Sequence, residues 1–107
     1  MGVDQTCAYN AAKATQIKNS DYVQVAPASQ IAPLMTAVAT TPTAVTIQAN
    51  RLCFQLYTSG IFNNVKCGAN LEQTVTAVGC GTDSVGGDYW LVRNSWGEVG
   101  YIRITKV

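Results

Sequence analysis

Four cysteines, Cys7, Cys53, Cys67 and Cys80, are the strongest nucleophiles in this 107-residue sequence, which contains no histidine. A thiol attacks as its thiolate, and its usual activator is an imidazole that takes the proton and returns it to the leaving group. Without one, neither a Cys-His nor a Ser-His mechanism can be completed by these residues alone. The spacing serves metals no better. There is no C-x-x-C pair and no histidine to complete a mixed zinc site, so neither a metal nor another cofactor is expected. Four cysteines admit three disulfide pairings, and nothing in their spacing chooses among these or excludes four free thiols.

Charge narrows the function classes further. Seven Lys and Arg against six Asp and Glu leave +1. The cations Lys13, Lys18, Arg51, Lys66, Arg93, Arg103 and Lys106 are scattered, whereas phosphate neutralisation needs them clustered, so no nucleic-acid partner is expected. Residues 22–50 carry no charge, yet Pro27, Pro33 and Pro42 and interspersed Ser, Thr and Gln interrupt them, which predicts core segments and no membrane span. The start, Met1 to Thr6, lacks the basic residues and apolar stretch of a secretory signal, and the compartment stays open. A hydrophobic share of 48% against 12% charged predicts a folded chain. Its length fits a single domain over 1–107, with residues 1–20 as an irregular arm.

The elements that must position any site follow from periodicity. Tyr22-Val23-Gln24-Val25 reads as a short strand, and Ser29 as a helix N-cap. Ile31, Leu34, Met35 and Val38 recur at i, i+3, i+4 and i+7, placing all four on one face of an amphipathic helix that tolerates Pro33 near its first turn and ends at Thr40-Thr41-Pro42. Thr43 to Ala49 alternates, with Val45, Ile47 and Ala49 on one side and Ala44, Thr46 and Gln48 on the other. A short helix over Arg51 to Tyr57 precedes strands at Leu71 to Gly79, Tyr89 to Asn94 and Tyr101 to Thr105, with turn chemistry at Gly79 to Asp83 and Gly86-Gly87-Asp88. The order predicts an α+β fold, an antiparallel, barrel-like sheet with one amphipathic helix.

Particular strings carry more than periodicity. Cys67-Gly68-Ala69-Asn70-Leu71, Val75-Thr76-Ala77-Val78-Gly79-Cys80-Gly81, Tyr89 to Asn94-Ser95-Trp96-Gly97, and Gly100-Tyr101-Ile102-Arg103 stand in that order. Together with Phe54-Gln55-Leu56-Tyr57-Thr58-Ser59-Gly60-Ile61-Phe62 upstream, they resemble the C-terminal half of papain-like cysteine peptidases. That family folds as two lobes, a helical one bearing the nucleophilic cysteine and a β-barrel-like one bearing histidine and asparagine, with substrate between them. The resemblance covers the second lobe, from about Cys7 onward, and the Cys-Gly-Ser-Cys-Trp type of string around the nucleophile is absent.

The resemblance implies a degenerate active site. Where the family reads Asn-His-Ala-Val or Asp-His-Ala-Val, this sequence reads Glu72-Gln73-Thr74-Val75, so Gln73 occupies the histidine position. An amide does not titrate near neutral pH and can neither hold a thiolate-imidazolium pair nor protonate an amine. Asn94 matches the asparagine that orients the ring, and Trp96 the tryptophan that shields that contact. The connection between Gly97 and Gly100 is about four residues shorter than usual by this resemblance, and Cys80 stands where a tyrosine is usual. Cys7 and Cys67 resemble cysteines whose family partners have no counterpart here. Cys53 and Cys80 match no family cysteine, so no family disulfide is carried over. The expected function is a catalytically inactive lobe acting as a structural or protein-binding subunit, with another protein or a second copy covering its apolar cleft side. The alternative is one chain of a papain-like cysteine endopeptidase whose catalytic cysteine lies on another polypeptide. Relatives of this kind are commonly lysosomal or secreted, which leaves the compartment unassigned.

Overall fold

β-branched residues and alternation at 43–47 and 73–83 are realised as the two strands that begin the sheet. The structure is a computed structural model, and it describes residues 3–64, 68, 70–95 and 100–106. Helix α1 spans Ile31–Thr40, strand β1 Thr43–Ile47, helix α2 Leu52–Gln55, β2 Ile61–Phe62, β3 Gln73–Asp83, β4 Gly87–Arg93 and β5 Tyr101–Thr105. The five strands form one sheet in the order β1-β3-β4-β5-β2. All pairings are antiparallel except β2 with β5, which is parallel. The α+β expectation therefore holds.

Inward positions of the strands build the core. Val75, Val92 and Ile102 join Ala49 and Phe54 in a buried cluster, against which Val45, Ile47, Tyr57, Phe62, Trp90 and Ile104 pack. Phe54, from the single turn of α2, meets Phe62 edge-on with ring centroids 5.5 Å apart. That geometry suits the ring quadrupole. The side chain of Phe54 thus ties α2 and β2 to the sheet.

Several local expectations are corrected. Tyr22 to Val25 is no strand: Tyr22 is 85% and Val23 93% exposed. β propensity needs a neighbouring strand to become β structure, and none pairs here. Ser29 does not cap α1. It sits at φ 59, and Gln30 holds the N-cap position without a side-chain bond. Of the predicted apolar face of α1, Val38 is buried and Leu34 half-buried, while Ile31 and Met35 remain 40% exposed. β1 stops at Ile47, so the alternation ends there and Gln48, predicted to face outward, is buried. β3 begins at Gln73, two residues later than read, and β2 escaped notice because two residues carry no period. Within residues 3–30, mostly irregular, a 3-10 turn covers Ala11–Lys13, capped by Asn10 Oδ1 accepting from Ala12 N at 2.9 Å.

The turn of the β3–β4 hairpin is fastened by the Asp83 carboxylate. Asp83 Oδ1 accepts from Val85 N at 2.9 Å and Gly86 N at 3.0 Å, and Gly87 takes φ 76, a region that glycine enters without Cβ strain. The amides of Gly86 and Val85, with Arg103 beside them, favour the ionised carboxylate and lower its pKa. Because the folded pKa lies below the unfolded one, the stabilisation is present above the usual aspartate range and is lost as pH falls through the folded value. The protection factors of the Val85 and Gly86 amides, their exchange rates taken relative to the intrinsic rate at each pH, are expected to fall on acidification through that window, with the dependence flattened in Asp83→Asn. An identical pH profile in both proteins would remove Asp83 as the clasp.

Candidate functional site

Strand pairing brings the sequence-predicted positions together at one end of the sheet. Gln73 opens β3, and Asn94 follows the last residue of β4. The register sets Thr76 opposite Arg93, which carries Gln73 and Asn94 to the same end of the β3–β4 pair. Gln73 Nε2 donates to Asn94 Oδ1 at 2.8 Å, and both residues are half-buried. Ser95 N also donates to Asn94 Oδ1, at 2.7 Å. Two donors fill both lone pairs of that carbonyl oxygen and fix which way each amide points. The backbone of Asn94 is held as well, its N–H donating to Gly100 O at 2.7 Å. Trp96, expected to cover this contact, lies outside the described residues.

A second polar cluster, not singled out from the sequence, fastens the segment just before Gln73. The Glu72 carboxylate accepts from Asn50 N at 3.0 Å and from Asn50 Nδ2 at 2.8 Å. Gln48 Nε2 donates to Asn50 Oδ1 at 3.1 Å, and Gln48 Oε1 accepts from Asn70 N at 2.9 Å. Glu72 N closes the set by donating to Ile47 O at 3.1 Å. The run leaving β1 is thereby stapled to the run entering β3, and the position of Gln73 follows from it. The only sequence signal was a polar residue, Gln48, just past the apolar alternation of β1.

No thiol meets this pair from the strand that carries it. Cys80 is exposed and free on β3, seven residues beyond Gln73, which at the usual strand rise places it about 23 Å away. Cys7 is exposed and free in the N-terminal segment. Cys53, which matched no expected pairing, is disulfide-bonded. That decides for Cys53 what the spacing of the cysteines left open: the residue sits in α2, and its bonding depended on approach in space. Cys67 lies outside the described residues. Among the described residues no three Cys, Asp or Glu side chains gather as a metal site. None of the helices in that set is long and apolar enough to cross a membrane.

The papain family cysteine protease profile matches residues 1–107. The chain belongs to the papain family. Among papain-family proteins it is 43% identical over 109 residues to cysteine proteinase RD21A of Arabidopsis thaliana, covering 98% of this chain and 23% of that one. It is 41% identical over 112 residues to cathepsin L of Sarcophaga peregrina, covering 98% and 32%. The solved structure of the bromelain protease from Ananas comosus, in complex with the E64 inhibitor, superposes with a TM-score of 0.62 at 47% identity. That match covers 69% of this chain and 35% of the other. The chain thus spans about a quarter to a third of the length of these papain-family relatives. The open-ended sheet with its few helices is a lobe of the papain fold.

Proposed function

We propose that this chain is a papain-type lobe that does not itself hydrolyse peptides and serves as a structural, protein-binding subunit. The observation that carries the reading is the Gln73–Asn94 bond. By the family resemblance Gln73 occupies the histidine position, and its Nε2 supplies Asn94 with the N–H that an imidazole would give. The partnership is kept while the proton-transfer group is gone: an amide neither takes a proton from a thiol nor gives one to a leaving amine near neutral pH. Exposed apolar side chains, Ile31 and Met35 on α1, Leu52 and Leu56 at the two ends of α2, and Leu71 ahead of β3, support the reading that another polypeptide covers part of the surface.

A second reading is favoured by the cysteine proteases among the relatives. In it the chain joins a polypeptide bearing the catalytic cysteine, and that polypeptide also supplies the base that Gln73 lacks. The chain, alone and mixed with a cysteine-bearing papain-type lobe, should be incubated with a fluorogenic peptide and a thiol-directed epoxide. No epoxide-sensitive turnover is expected in either case. Epoxide-sensitive turnover in the mixture would replace the first reading by the second. Light scattering after size exclusion reads the partner: a soluble monomer that takes up no other protein would count against the subunit role.

A further inference from the structure

We propose that the disulfide at Cys53 is a redox-sensitive latch: oxidised, it holds α2 and β2 on the sheet, and reduced, it lets that segment open while the sheet stays folded. The inference stands apart from the reading of function above and adds a condition on the shape of the chain. Of the four cysteines, Cys7 and Cys80 are free and Cys53 is bonded, which leaves Cys67 as its partner by elimination. The bond therefore closes a loop whose described part holds the rest of α2, the turn from Tyr57 to Gly60, and β2.

The secondary structure of that loop is short. α2 has four residues, and Arg51 at its N-cap makes no side-chain bond. A helix of one turn is unstable in water unless something outside it holds it. β2 adds two residues, Ile61 opposite Arg103 and Phe62 opposite Ile104. Aromatic packing supplements them: Phe54 lies in the core, the Phe62 ring is 5.5 Å from Phe54 and 6.3 Å from Tyr57, and the Tyr57 hydroxyl donates to Gly60 O at 2.6 Å. Tying the ends of a loop together lowers the entropy it gains on opening, so the closed form is favoured while the bond lasts. By contrast β1, β3, β4 and β5 are joined by antiparallel ladders that involve no disulfide. Reduction thus takes a restraint from one part of the structure and none from the rest.

Cys53 is half-buried in a turn whose Leu52 and Gln55 are exposed, which leaves room for a small dithiol to approach. A thiolate of the dithiol attacks one sulfur of the bond and the other sulfur leaves; the dithiol's second thiolate then displaces the first protein sulfur. The dithiol gives up two electrons and becomes a cyclic disulfide, while the two protein sulfurs take those electrons and two protons and become thiols. Bonds of this kind persist in oxidising compartments and open where the thiol pool is reduced. Once the segment opens, the side of Val75, Val92 and Ile102 that Phe54 covers becomes accessible.

The test starts from the oxidised 107-residue chain, alkylated without reduction and mapped by mass spectrometry. Cys53 is expected in a peptide linked to that of Cys67, with Cys7 and Cys80 alkylated. Hydrogen exchange is then compared with and without dithiothreitol. The amides of Gln55, Leu56 and Tyr57, which donate to Arg51 O, Leu52 O and Phe54 O, are expected to lose about tenfold or more in protection on reduction, and those of β3 and β4 to keep theirs. Cys53→Ser is expected to show the reduced pattern with or without dithiothreitol, and the Cys7→Ser, Cys80→Ser double variant to keep the full response. Undiminished α2 protection after alkylation shows the bond broken would overturn the proposal. So would loss of protection across β3 and β4 as well, which would make the bond a staple of the whole fold, or a map that pairs Cys53 otherwise or finds it alkylated without reduction.

Discussion

Gln73→His, assayed as the isolated chain, is expected to leave fluorogenic peptide hydrolysis at the buffer level. The substitution can supply an imidazole whose N–H meets Asn94 Oδ1, the acceptor now taken by Gln73 Nε2 at 2.8 Å. It supplies no nucleophile, since the free thiol on the same strand, Cys80, is about 23 Å from position 73 by strand rise. Mixed with a cysteine-bearing papain-type lobe, and once size exclusion establishes the complex, the variant is expected to gain about 10²- to 10⁴-fold over the parent chain in the same mixture. That range is what a positioned acid or base contributes. Equal turnover by parent and variant with that lobe would mean that position 73 is not where the proton is handled. Turnover by the isolated variant would show that a thiol of this chain reaches the site.

Phe54→Ala is expected to cost about 3–5 kcal/mol of stability, a large part of the total for a domain of this size. Phe54 is buried, belongs to the cluster with Val75, Val92 and Ile102, and stacks edge-on against Phe62. α2 has a single turn and no side-chain cap, so it lacks the length to be stable by itself and is held by this ring together with the disulfide at Cys53. The same removal loosens β2, whose two residues hold to β5 by one short parallel ladder. Urea unfolding monitored by circular dichroism measures the loss. A change below about 1.5 kcal/mol would place the anchor of α2 elsewhere, since that is less than truncating a well-packed aromatic ring costs.

Much of the fold was legible because its signals are local. The i, i+3, i+4, i+7 spacing of Ile31, Leu34, Met35 and Val38 produced α1, and β-branched alternation produced β1 and β3 to within a few residues. Gly86-Gly87-Asp88 placed the hairpin, whereas Gly79 to Asp83, read as turn residues, continue β3 as far as Asp83. Where such signals lacked a partner they misled. Tyr22 to Val25 has strand composition and no strand beside it, and Ser29 has a capping side chain in a backbone conformation that cannot present it. The family was legible for a different reason: ordered strings such as Asn94-Ser95-Trp96-Gly97 are read residue by residue and depend on no period.

By itself the sequence determined that the chain carries no imidazole, and the family resemblance puts Gln73 where one would stand; residue identity decides which side chains can move a proton near neutral pH. Only the tertiary structure decided what that glutamine does. The β3–β4 register sets Gln73 against Asn94, the Glu72–Asn50 pair staples the approach to it, and the end of β1 buries Gln48. The bond at Cys53 belongs to the same class. Each depends on residues distant in the chain coming within a few ångströms, a distance that spacing along the sequence does not encode.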